Sequence, residues 1–319
     1  MSSPDPQARA VVEESGVLCP PAIVVHGGAG LFASATSERV AELAAGVSAA
    51  LESGWEVLEK GGRALDAVTA AVASFEASGL FNAGTGAVIT STGDVETDAA
   101  VMDGENGAFG AVCAASWPES PVAAARAVAA LGGPANGPIL LAGAGADRFC
   151  EQAGLAPRSR SSPSRRRAPL ESSPGTVGAV ALDSAGHLAA ATSTGGRLGK
   201  LPGRVGDSPI AGAGTWADDA SVAISATGEG ESFILAGFAH RTVWNLASGA
   251  SLPVALEEAL SAVRSRSGQG GAIAIAPDGS FAVVFDTPAM ARGWRDVRGP
   301  TVPALRHAEG ARTPASDLE

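Results

Sequence analysis

Two apolar runs, Val177–Leu182 and Leu188–Thr192, are separated only by residues 183–187, with a turn at Asp183-Ser184-Ala185-Gly186. A link this short cannot carry a crossover, so the two segments pair antiparallel. Ile273–Ala276 and Phe281–Phe285 repeat the pattern across Pro277-Asp278-Gly279. Ser221–Ser225 reads as a strand between these hairpins, and Ala22–His26 and Phe109–Ala115 as strands of the first half. Ala87–Thr90 and the residues from Val95 onward form a third hairpin around Thr92-Gly93-Asp94. Helical spacing comes in blocks. Across Ser37–Lys60, Val40, Leu43, Val47, Leu51 and Leu58 share a face, and Ala64–Ala77 repeats the spacing. Ser37 is the expected N-cap and Gly61-Gly62 the expected stop. Val122–Leu131, Glu231–Ala247 and Pro253–Arg264 are further helices, with a strand at Ile139–Leu141 and a helix at Ala146–Gln152. Hairpins in series and helices in runs exclude an alternating βαβ sheet. The fold class is α+β, with two antiparallel sheets and helices outside them.

The chain has 319 residues, 45% of them apolar, enough to bury a large core in one folded domain. A formal charge of −11 supplies no basic field for nucleic acid or an anionic membrane. Three cysteines, Cys19, Cys113 and Cys150, without a CxxC pair speak against a disulfide framework or a zinc site. Met1–Gly16 lacks the apolar stretch of a signal peptide. No apolar run approaches the roughly 18 residues of a spanning helix. The expectation is a soluble protein of the reducing cytoplasm. Residues 1–20 are expected to form a flexible arm ending at Pro20-Pro21.

Residues 154–175 differ in kind. Arg158, Arg160, Arg165, Arg166 and Arg167 stand among serines and prolines with little to bury, the composition of a mobile linker. A nucleic-acid arm is the alternative. The linker ends at Gly175-Thr176, where a clean strand begins. A peptide bond that broke itself there would leave threonine as a new amino terminus, and its own α-amine can serve as base for its hydroxyl. No GxSxG, HExxH or Walker loop is present, and His26, His187, His240 and His307 lack ligand spacing. Thr176 and Thr194 flank one hairpin, so their strand ends lie side by side. Thr227 and Gly228 sit at a strand-to-helix turn, where a hydroxyl and free N–H groups can hold an oxyanion. Taken singly, each threonine is an ordinary β-favoured residue. In Leu201–Pro209, Arg204 and Asp207 can read the carboxylate and ammonium of an α-amino acid, or form a surface ion pair.

Together these segments resemble the plant-type asparaginase and isoaspartyl peptidase family, a branch of the N-terminal nucleophile hydrolases. The likeness runs in order through His26-Gly-Gly-Ala-Gly30, Leu80-Phe-Asn-Ala-Gly84, Asp98, Met102-Asp-Gly104, Gly175-Thr-Val-Gly178 and Thr192-Ser-Thr-Gly-Gly196. It continues through Gly203-Arg-Val-Gly-Asp-Ser-Pro209, Thr227-Gly-x-Gly-Glu231 and Gly270-Gly271. The resemblance implies an αββα four-layer sandwich, made as a precursor and cleaved into residues 1–175 and 176–319, with two such units pairing. It implies Thr176 as nucleophile beside Thr194, an oxyanion hole of Thr227 and Gly228, and Asn82 holding the liberated amine. Arg204 would grip the substrate α-carboxylate, and Asp207 with the Gly230 backbone its α-ammonium. The substrates implied are asparagine and β-aspartyl dipeptides, with no catalytic cofactor, nucleic acid or membrane. Backbone carbonyls of Phe75, Glu76, Ser78, Phe81, Ala83 and Thr85 would hold a structural sodium ion.

Departures concern substrate preference. Residues 131–138 stand where relatives carry a longer helix, Arg197-Leu198-Gly199 replaces a more neutral stretch on the leaving-group side, and Glu229 lies near the site. A glycosylasparaginase lacks support, because no tryptophan-bearing segment follows His26. Outside the enzymes, the alternative is a non-cleaving amino-acid-binding protein that keeps Arg204 and Asp207.

Overall fold

Alternation of side chains sorts the central strands into two packing faces. In the hairpin of β6 (Val177–Leu182) and β7 (Leu188–Thr194), Ala179, Ala181, Ala189 and Ala191 face a helical layer. Val180, Leu182, Leu188 and Ala190 face a second sheet. Both faces are buried, which is why these strands read as continuous apolar runs although they pair antiparallel. The computed structural model describes residues 12–30, 36–133, 135–159 and 175–303.

The chain begins with β1 (Val12–Val17), β2 (Ala22–Gly30), α1 (Ser37–Glu59), α2 (Ala64–Ser78), β3 (Thr97–Asp103) and β4 (Phe109–Ala115). Next come α3 (Pro121–Ala129), β5 (Leu140–Ala142), α4 (Gly143–Gln152), and the β6–β7 hairpin. Then follow β8 (Thr215–Asp218), β9 (Val222–Gly228), α5 (Gly230–Ala236), α6 (Phe238–Ala247) and α7 (Leu252–Arg264). The last strands are β10 (Gly270–Ile275), β11 (Ser280–Phe285), β12 (Ala289–Asp296) and β13 (Gly299–Thr301). Eight strands run in the order β13-β12-β2-β6-β7-β3-β4-β5, and five in the order β1-β11-β10-β9-β8. Helices α1 to α3 cover the outside of the larger sheet and α5 to α7 the outside of the smaller. Val24, Val180, Ile273, Ile275 and Val283 fill the space between the sheets. This is the expected four-layer α+β sandwich.

Several expectations need correction. The N-terminal arm is not free over 12–17: β1 pairs with β11 as an edge strand. Its Glu14 carboxylate accepts two 2.6 Å bonds from the fully buried Arg292 guanidinium. The linker does not begin at 154 as a mobile segment. Arg158 donates to the carbonyls of Gly84 at 2.6 Å and Pro118 at 3.2 Å, and its backbone N–H donates to Trp117 O. Arg160, Arg165, Arg166 and Arg167 lie outside the described residues, as do residues 1–11. The helix expected over 231–247 is split at Gly237, whose left-handed φ of 59° ends α5 and starts α6. The hairpin at 87–95 reduces to a single bridge between Ile89 and Val95. One strand pair, β4 with β5, is parallel. Thr36, not Ser37, caps α1, accepting from Arg39 N–H at 3.2 Å.

Candidate active site

Register places the threonines. Gly178 pairs with Thr192 and Val177 with Ser193, so Thr176 comes opposite Thr194 at the end of the hairpin. Thr194 in turn pairs with Asp98 on β3. Period-two alternation turns Thr192 and Thr194 toward the smaller sheet and Ser193 toward α2. The Thr176 hydroxyl, 8% exposed, donates to Thr194 Oγ1 at 3.0 Å. Thr194 Oγ1 also accepts from Gly196 N–H at 2.9 Å. That second bond fixes the acceptor toward which the Thr176 proton points.

The smaller sheet supplies the facing wall. β9 carries Ser225 and Thr227 on the face that meets β6 and β7. Thr227 Oγ1 accepts from Ala29 N–H at 3.3 Å. Gly175 is wedged beside it: a Cβ at 175 would lie 3.1 Å from both Thr227 Oγ1 and Ala29 O. Gly28 has a φ of 99°, and a Cβ there would strike the Gly175 backbone at 2.5–2.6 Å. Glycine at 28 therefore lets the β2 backbone lie against the Gly175-Thr176 junction. Gly228 has room for no side chain either, since a Cβ would meet Gln269 O at 2.4 Å. Two residues along the strands, His26 Nε2 bonds Ser225 Oγ at 2.9 Å, and Ser225 Oγ lies 2.7 Å from Thr192 Oγ1. Burial pushes the His26 imidazole down to about 3, so it is neutral and ties the sheets together behind the threonines.

Asn82 follows α2 and crosses to the β7 end. Its amide donates to Gly196 O at 2.6 Å, and its oxygen accepts from Val88 N–H at 3.1 Å. It fixes the Gly195-Gly196 turn that also feeds Thr194. On the outer face Ser193 donates to Glu76 at 2.6 Å, and Glu76 also accepts from Ser120 Oγ and Val122 N–H. Burial pushes this carboxyl up to about 7 despite those bonds and the nearby Arg158.

The loop from 201 to 209 forms the other end of the site. Asp98 ties it to β3, accepting from Gly206 N–H at 3.4 Å and from Ala114 N–H at 2.7 Å. Lys200 Nζ donates to Glu96 O at 3.0 Å, and Gly203 N–H to the Glu96 carboxylate at 2.8 Å. Arg204 and Asp207 do not form the surface ion pair considered above. Arg204 donates twice to Glu231, at 2.9 and 2.7 Å. Asp207 is buried, and its Oδ2 has no hydrogen-bond partner. Burial pushes Asp207 up to about 7, a larger effect than its own backbone N–H and Arg204 together offset. Gly230 presses against it: a Cβ there would lie 2.8 Å from Asp207 Oδ1.

These groups line one cavity of about 250 Å³. Thr176, Thr194, Thr227, Gly228, Arg204 and Asp207 are all in its wall, with Asn82 and Gly175. Gly230 supports the wall from behind. Arg197 and Glu229 also line it, as do Gln269 and Thr287, which the sequence did not single out. Glu231 closed the Thr-Gly-x-Gly-Glu motif but received no role. A carboxylate in the first turn of α5, facing an arginine 27 positions earlier, was the available signal.

The loop proposed for sodium is rich in carbonyl oxygens. Ser78 Oγ donates to Phe75 O at 2.7 Å, Ala83 N–H to Phe81 O at 2.9 Å and Gly86 N–H to Ala83 O at 3.0 Å. The Phe81 and Ala83 carbonyls each keep a second lone pair. A Cβ on Gly84 would lie 2.7 Å from Glu76 O, and one on Gly86 2.1 Å from Phe81 O. Carbonyl oxygens of this kind are the donor type that a small hard cation takes. Among the described residues no group of three His, Cys, Asp or Glu side chains could hold a metal.

A threonine after a glycine, at the head of a central strand in a sandwich of two sheets between helical layers, defines the architecture of N-terminal nucleophile hydrolases. The chain belongs to the asparaginase family, whose model matches residues 19–166 and 157–301. An isoaspartyl peptidase from Salmonella typhimurium is 43% identical over 299 residues, covering 85% of this chain and 94% of the relative. A plant-type L-asparaginase from Pyrobaculum calidifontis is 42% identical, covering 85% of this chain and 96% of the relative. A human isoaspartyl peptidase/L-asparaginase is 36% identical, covering 85% and 91%. Among the described residues no helix is long and apolar enough to cross a membrane.

Proposed function

We propose that this protein is a self-processing hydrolase of β-aspartyl dipeptides and L-asparagine. One observation carries the reading. The Thr176 hydroxyl, aimed at Thr194, shares a cavity with Arg204 and with the unpartnered Asp207 oxygen. A guanidinium and a bare carboxylate at one end of a small cavity match the zwitterionic head of an α-amino acid.

In the precursor, Thr176 Oγ1 attacks the Gly175 carbonyl carbon, and its proton is relayed through the Thr194 hydroxyl to the departing Thr176 nitrogen. The carbon–nitrogen bond breaks, the nitrogen takes up a proton, and Gly175 is left as an ester on Thr176. Water hydrolyses the ester, giving chains 1–175 and 176–319. The freed α-amine has an ordinary pKa near roughly 8, low enough to accept the hydroxyl proton at neutral pH. In this scheme Asn82, which donates to Gly196 O and lines the same cavity as Thr176, holds that amine.

In turnover Arg204 takes the substrate α-carboxylate. Asp207 and the Gly230 backbone take the α-ammonium. The side-chain carbonyl then faces Thr176, and Thr227 Oγ1 with Gly228 N–H stabilises the oxyanion. Ammonia or an amino acid leaves, and water releases aspartate from the threonyl ester. Glu231 holds the Arg204 fork in plane. No cofactor enters this scheme. A sodium ion on the 75–85 carbonyls would act as a brace for the loop that carries Asn82. Free Cys19, Cys113 and Cys150 suit a reducing cytoplasm. Pairing of two processed units, implied by the family likeness, is read by gel filtration of the cleaved protein.

Purified processed protein should release aspartate from asparagine and from β-aspartyl-leucine, and Thr176→Ala should abolish both. Binding of asparagine without turnover by correctly folded wild-type protein would instead identify an amino-acid-binding protein.

A further inference from the structure

The scheme above leaves one cation of the cavity unused. Once the aspartyl head occupies Arg204 and Asp207, a β-aspartyl dipeptide carries a single remaining charge, the α-carboxylate of its leaving amino acid. Among the described lining residues the cations are Arg204 and Arg197. Arg204 is engaged twice by Glu231. The Arg197 side chain is exposed and makes no hydrogen bond or ion pair among the described residues. It lies close enough to the site to help hold the Glu231 carboxyl down, behind the larger effect of Arg204.

Position gives this cation a direction. Arg197 directly follows Gly196, whose N–H feeds Thr194 Oγ1 and whose carbonyl takes the Asn82 amide. It therefore joins the cavity lining from the backbone beside Thr194, at the end where the scissile bond lies. The aspartyl chain runs from there to Arg204 and Asp207, so the leaving group must turn to the remaining wall. The lining residues without a role in that scheme include Arg197, Glu229, Gln269 and Thr287. Ammonia leaving from asparagine has nothing to offer Arg197. An amino acid leaving from a dipeptide presents a carboxylate, which a planar guanidinium binds through two parallel bonds.

We propose that Arg197 is a specificity residue that binds the α-carboxylate of the leaving amino acid, so that β-aspartyl dipeptides with a free C-terminus are favoured over their C-terminal amides. This rests on the hydrolase reading above. Arg197 is exposed and Glu229, which lines the same cavity, opposes a second anion, so the advantage is modest, about fivefold in kcat/KM.

The test compares β-aspartyl-leucine with its C-terminal carboxamide, with asparagine as a third substrate, in the processed protein. Wild type should prefer the free acid about fivefold, the difference lying in KM and shrinking with added salt. Arg197→Gln should bring the acid-to-amide ratio to about 1, and Arg197→Lys should restore part of it. An unchanged ratio in Arg197→Gln, or no acid preference in a wild type that cleaves both dipeptides, overturns the assignment alone. Failure of wild type to cleave asparagine and both dipeptides overturns the hydrolase reading, and this inference with it.

Discussion

Gly28 offers a sharp perturbation of the Gly175-Thr176 junction, because its backbone lies against that of Gly175. Its φ of 99° is one an alanine adopts at a cost of about 1–2 kcal/mol. The added methyl would also lie 2.5–2.6 Å from three backbone atoms of Gly175, which cannot rotate away as a side chain could. Relief requires β2 and Gly175 to separate, and overpacking of this kind costs about 1–3 kcal/mol more. If about 2 kcal/mol of the total is felt at the scissile bond, self-cleavage slows about thirtyfold. Gly30→Ala is the control, because a Cβ there meets nothing within 4 Å and its φ is not left-handed. The assay follows precursor and product bands on denaturing gels after synthesis of wild type, Gly28→Ala and Gly30→Ala. Gly28→Ala should accumulate as folded precursor while Gly30→Ala processes like wild type. Processing of Gly28→Ala at the wild-type rate would refute the argument that this contact positions the bond.

Other substitutions test separate parts of the account. Asp207→Asn removes the proposed partner of the substrate ammonium and should raise KM for asparagine roughly thirtyfold, about 2 kcal/mol of a charged hydrogen bond. Burial holds the native Asp207 proton up to about 7, so the wild-type KM should fall as pH rises through that value and the variant's should not; superimposable KM profiles would refute this. Glu76 keeps its proton in the fold between its ordinary 4.5 and about 7, where the unfolded chain has lost it, so its contribution makes stability fall as pH rises through that window. Urea unfolding at pH 5 and pH 8 should lose about 3 kcal/mol less in Glu76→Gln than in wild type, and equal losses would count against it. Glu14→Ala strands the buried Arg292 guanidinium and should cost about 3 kcal/mol in chemical denaturation. A cost below about 1 kcal/mol would mean that β1 is dispensable.

What the sequence disclosed follows from the range of the forces involved. The β6–β7 hairpin and helices α1 and α2 are local: period-two and helical apolar spacing name them within a few residues of their ends. The strand-end threonines were legible for the same reason, since a hairpin's register places Thr176 beside Thr194. β12 was not. Arg292, Gly293 and Arg295 break its apolar pattern, and the charge on Arg292 is tolerated only because Glu14 arrives 278 positions away. β1 looked like a polar arm because its role is to supply that carboxylate and to cover the β11 edge. Arg158 looked like one more linker cation, and only the folded Gly84 and Pro118 carbonyls distinguish it. At the site, the choice of Arg204 to pair with Glu231 instead of Asp207 depends on how α5 docks on the 201–209 loop, a contact no local spacing encodes.

In the proposed mechanism, cutting the chain between Gly175 and Thr176 creates every later function of the threonine. Intact-mass measurement of denatured, catalytically competent protein reads it directly. Two species matching residues 1–175 and 176–319 are predicted, replaced by one unbroken chain in Thr176→Ala. Asparagine hydrolysis by material whose mass remains that of a single continuous polypeptide would contradict the mechanism.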